Sequence, residues 1–125
     1  MINRMDLIEI TNLNRLKMEL NNKEYYTDEE YSIFLQENDL LGDDDYGNTK
    51  EDKIKLLKTT VQVLETLAND VDLMRKLDAK DILTTSEASK YLQKRIDQLN
   101  SKIVDLEFEL LNGSNISPLF FGGRR

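Results

Sequence analysis

The sequence predicts an all-α fold: a small antiparallel helical bundle with an exposed acidic loop and an extended C-terminal tail. Three observations predict it. Apolar residues recur at intervals of three and four along most of the chain. Two Thr-x-x-Glu capping boxes mark helix starts. No alternating Val/Ile/Thr-rich run bounded by turns is present, and Gly-Gly occurs only near the end, so no sheet is expected. The 125 residues suit one domain, divided as a helical bundle over 1–111 and a tail over 112–125.

Taken in order, the first helix is expected near Leu7 to Leu20, where Leu13, Leu16 and Leu20 keep helical spacing. Asn12 and Asn14 weaken it, and Asn21-Asn22-Lys23 breaks the pattern. Thr27-Asp28-Glu29-Glu30 is a capping box, and its three acids suit the positive end of a helix dipole. The helix it starts should reach about Asn38 with Tyr31, Phe34 and Leu35 on one face. Tyr25-Tyr26, just before the box, suits a packing staple better than a ligand platform. Two Gly and three Asp between Leu41 and Asn48 then mark an exposed loop.

A third helix should start at Thr49 or Lys50 and reach about Asn69. Its stripe is Ile54, Leu57, Val61, Leu64 and Ala68, widened by Thr60, Leu67 and Val71. Residues 70–77 read as a continuation or a separate turn capped by Asn69 or Asp70. The second box, Thr84-Thr85-Ser86-Glu87, opens a last helix to about Leu111, with Gly113 in the C′ place. Leu92, Ile96, Leu99, Ile103, Leu106 and Leu110 form a heptad seam along it. That seam suits an intramolecular bundle; a coiled coil between chains is the alternative.

Composition excludes much chemistry. There is no Cys, so no disulfide framework, thiolate nucleophile or Cys-type zinc site. There is no His, which removes the commonest general base and transition-metal ligand. No catalytic residue, cofactor or metal site is therefore expected, and the chain reads as a non-enzyme. The starting segment lacks a signal-peptide core and no apolar run approaches the roughly 20 residues of a membrane span, so a cytosolic protein without membrane contact is expected.

The net charge is −7, from 24 acidic and 17 basic residues. It is concentrated: residues 27–53 hold ten acids and two bases, while residues 112–125 carry only Arg124 and Arg125. An acidic balance opposes general nucleic-acid binding, which needs a Lys/Arg excess. The candidate acidic surface is Asp39, Asp43, Asp44, Asp45, Glu51 and Asp52. An EF-hand reading from Asp43 fails, because Ile54 falls where the loop requires a Glu.

The tail is the adhesive feature. Ile116, Pro118, Leu119, Phe120, Phe121, Arg124 and Arg125 combine apolar anchors, a helix breaker and two directed cations. Burying two Phe and one Leu is worth roughly 5–9 kcal/mol gross, before ordering costs. Folding back on the bundle and docking into a partner are both open for it.

Four stretches resemble small head–tail connector (adaptor, or neck) proteins of tailed phages and prophages of Gram-positive bacteria. They are residues 12–20 (NLNRLKMEL), 26–38 (YTDEEYSIFLQEN), 64–70 (LETLAND) and 89–96 (SKYLQKRI). The resemblance implies an all-helical structural protein in a ring, commonly of twelve copies, between a portal protein and a second neck or tail protein. It implies assembly in the host cytoplasm, a place in the virion neck, and DNA passing through without specific binding. It also implies that the tail docks on the portal. A self-associating regulator or assembly chaperone using the heptad seam is the alternative, and an acidic DNA mimic is a weaker third reading.

Overall fold

The computed structural model describes residues 9–70 and 85–112. These form four helices: α1 (Asn12–Glu19), α2 (Asp28–Gln36), α3 (Lys50–Ala68) and α4 (Thr85–Asn112). The fold is an all-α bundle. The described residues contain no strand, only one isolated antiparallel bridge between Thr11 and Asp45.

The first helix starts later than its periodicity suggests. Glu9 and Ile10 are outside it, and Thr11 is the N-cap, accepting from the Asn14 amide. The remaining free amides of that first turn are met across the chain. Asn12 N–H donates to Asp44 O and Leu13 N–H to Gly42 O, at 2.9 and 3.1 Å. Tyr46 N–H donates to Ile10 O at 2.8 Å. The Asn12 side chain, buried here, donates to Leu41 O at 2.8 Å. So the residue that weakens the helix in isolation ties its start to the acidic loop.

The box at Thr27 forms in both directions: Thr27 accepts from the Glu30 amide, and Glu30 accepts from the Thr27 amide. Tyr26 and Tyr31 stand at the two staple positions with rings edge-on at 6.2 Å. The Tyr31 hydroxyl, on a fully buried side chain, donates to Lys23 O and accepts from the Tyr25 amide, both at 3.0 Å. It fixes the link between α1 and α2. The helix ends at Gln36, two residues short of the expected Asn38, and Asp39 takes a left-handed conformation. The left-handed non-glycine positions among the described residues are Asn21, Asn22, Asp39 and Asn48, residue types that tolerate positive φ.

Helix α3 is central and touches each of the other three. Thr49 caps it by accepting from the Asp52 amide. Of the expected stripe, Ile54, Leu57, Val61 and Leu64 are buried and Ala68 is half-buried. Lys50 and Lys58 flank Ile54 and pair with Glu109 and Glu107 of α4, so this stripe meets α4 and the two helices run antiparallel. At about 100° per residue, Leu56, Thr59 and Val63 fall on a roughly opposite face. They are fully buried too, leaving that side to α1 and α2. Thr59 and Thr60 are buried without orphan hydroxyls, donating to Lys55 O and Leu56 O at 2.8 and 2.9 Å.

The first part of the α4 seam, Leu92, Ile96, Leu99 and Ile103, is buried within the chain. A helix from another molecule would have to displace the chain's own helices to reach it. The region 71–77, the Thr84 cap, Gly113 and the tail lie outside the described residues.

Candidate functional site

The two ends of the α3–α4 pair differ. At one, Glu19 at the end of α1 accepts from Arg95 of α4 at 2.6 Å and from Arg15 at 2.9 Å. Burial pushes the Glu19 carboxyl up, but hydrogen bonds from the two guanidinium groups outweigh it and hold the group below the ordinary carboxylate value. Arg15 also lies over the Tyr46 ring, 5.5 Å from its centre. This cluster joins α1, α4 and the acidic loop, and Glu19 is paired with both of its arginines.

At the other end the surface opens into a groove of about 790 Å³. Its lining includes Ile54, Lys55 and Lys58 of α3 with Leu110 and Leu111 of α4. Glu109 pairs with Lys50, the first residue of α3, so Leu110 and Leu111 lie beside the start of α3. Leu111 is 84% exposed and Leu110 41%. The rim is acidic: Glu37 and Asp39 from the turn after α2, Glu51 from α3 and Glu107 from α4. Glu107 holds Lys58 at 3.0 Å, and Glu37 accepts from Gln62. Asp39 and Glu51 have no cationic partner among the described residues.

The fold therefore splits the expected acidic surface. Asp39 and Glu51 meet at the groove. Asp43, Asp44 and Asp45 stay exposed on a different feature, the loop whose carbonyls cap α1. Asp52 turns toward Gly47, where an added Cβ would collide with its carboxylate. Among the described residues no group of three or more acidic side chains is arranged to hold a metal ion, and no helix is long and apolar enough to cross a membrane.

The tail residues Ile116, Pro118, Leu119, Phe120, Phe121, Arg124 and Arg125 lie outside the described residues. What sequence reasoning missed is the groove itself. Leu110 stands in the seam and reads as core, and Glu37, Lys55, Lys58 and Glu107 read as ordinary solvated charges. The one local signal is Leu111, an apolar residue off the seam on the last turn before the tail.

No family model matches this chain, and no curated protein or solved structure matches it either.

Proposed function

We propose that this chain is a structural, non-enzymatic connector of a phage head–tail junction. It forms a ring between the portal and the next neck or tail component, twelve-fold by the family resemblance, and residues 112–125 dock on the portal. The observation that carries this reading is the open end of α4. A helix anchored by a buried seam emerges with Leu110 and Leu111 uncovered and leads directly into a segment bearing Ile116, Leu119, Phe120, Phe121 and two arginines. A rigid body with an adhesive extension is the physical requirement of an adaptor: the body sets spacing, and the extension supplies anchor area. Repetition in a ring multiplies modest individual contacts. The acidic block of residues 27–53 suits a conduit that lets DNA pass, because it repels phosphate.

Deleting residues 114–125 and measuring binding to purified portal rings tests the proposal. Binding should fall to background. Undiminished binding would remove the tail as the anchor.

A further inference from the structure

We infer that the groove between the turn after α2, the start of α3 and the end of α4 is the resting seat of the chain's own segment 113–125. The assignment concerns the free chain and does not depend on the identity of any partner.

Four facts point to this occupant. The segment begins at the groove, since Asn112 follows Leu110 and Leu111, which line it. Its first residue is Gly113, the residue type that turns a chain back at a helix C-terminus, and Pro118 prevents renewed helix. Its length is sufficient: thirteen residues reach about 43–47 Å when fully extended, several helical turns beyond Asn112. Its chemistry matches: Ile116, Leu119, Phe120 and Phe121 meet a lining that includes Ile54, Leu110 and Leu111, and two arginines meet a rim on which Glu37, Asp39 and Glu51 have no cationic partner among the described residues. Arg binds carboxylate through a planar fork, so a pair of them supplies direction as well as charge.

The regulatory consequence rests on the connector reading. Apolar anchors seated in the groove cannot simultaneously occupy a portal, so docking requires their release. In the free protein the same contact covers leucines that would otherwise be exposed. It makes the adhesive segment safe before assembly and available after it.

Because the sequence contains no Cys, a Gly123→Cys variant of the full chain takes a single nitroxide label. Methyl NMR then reads proximity at Ile54, Leu110 and Leu111, with Leu92 and Ile96 toward the other end of α4 as controls. The expected result is selective loss of the groove signals, and no loss when isotope-labelled chain without nitroxide is mixed with spin-labelled chain at natural abundance. Adding Asp39→Asn and Glu51→Gln, the former a residue that also tolerates positive φ, should restore much of the signal. Groove signals that stay intact in the labelled chain would overturn the inference. Loss in the mixture equal to that in the labelled chain would overturn it in favour of the tail of a second copy. Undiminished loss in the double variant would overturn the arginine–carboxylate recognition.

Discussion

The same two helices are closed at one end and open at the other, and the contrast shows which part of the pair holds the bundle together and which part leaves apolar surface uncovered. Near Leu64 and Leu92, α3 and α4 are joined by buried aliphatics and braced from α1 through Glu19 and Arg95. Near Lys50 and Glu109 the bracing consists of exposed ion pairs, and Leu110 and Leu111 are left exposed. Exposed pairs contribute little, because water and salt screen them and two long side chains must be ordered. The closed end determines whether the bundle exists. The open end leaves Leu110 and Leu111 as the surface on which segment 113–125 is inferred to rest.

The largest test of that contrast compares two leucines on one helix. Leu99→Ala should cost about 2–5 kcal/mol, because Leu99 is 1% exposed and its removal leaves a cavity. Leu111→Ala should change stability by less than about 0.5 kcal/mol in the same denaturant titration. Comparable losses would mean that the open end is part of the core. Next in size is Tyr31→Phe. It leaves Lys23 O and the Tyr25 amide without their buried partner, so a loss of about 1–3 kcal/mol is expected.

The closed end also carries an acid signature. Glu19 titrates below its ordinary value of 4.5 in the folded state. Its pairing therefore contributes stability fully above the unfolded pKa, and that contribution is lost as pH falls through the folded pKa. Glu19→Gln should be less stable than the parent at neutral pH and should show a shallower loss from about pH 5 downward. Parallel pH–stability curves for the two proteins would contradict the assignment. A small effect is also expected at the open end: Lys58→Ala should cost less than about 1 kcal/mol, with the difference shrinking in high salt.

Local rules were readable in the sequence and non-local ones were not. Thr27 with Glu30 announces a helix start because the two lie three residues apart. The Leu92–Ile103 part of the seam is legible because a single face of α4 is buried. Helix α3 is buried on two faces, so Leu56, Thr59 and Val63 disturb a one-stripe reading although each lies in the core. The late start of α1 depends on Gly42 and Asp44 offering carbonyls from 30 residues or so away, which no periodicity encodes. The groove was invisible for the same reason. Asp39, Glu51 and Leu111 come from three different elements, and only the packing of the turn after α2 beside α3 and α4 brings them together.

The central claim is that attachment resides in the apolar segment beyond the open end. Co-sedimentation with assembled portal rings tests it directly, comparing the full chain with a variant carrying Leu119→Ala, Phe120→Ala and Phe121→Ala. The account predicts that the full chain sediments with the rings while the variant, equally stable to denaturant, remains in the supernatant. A variant that sediments as completely as the parent, or a parent that does not sediment at all, would contradict it.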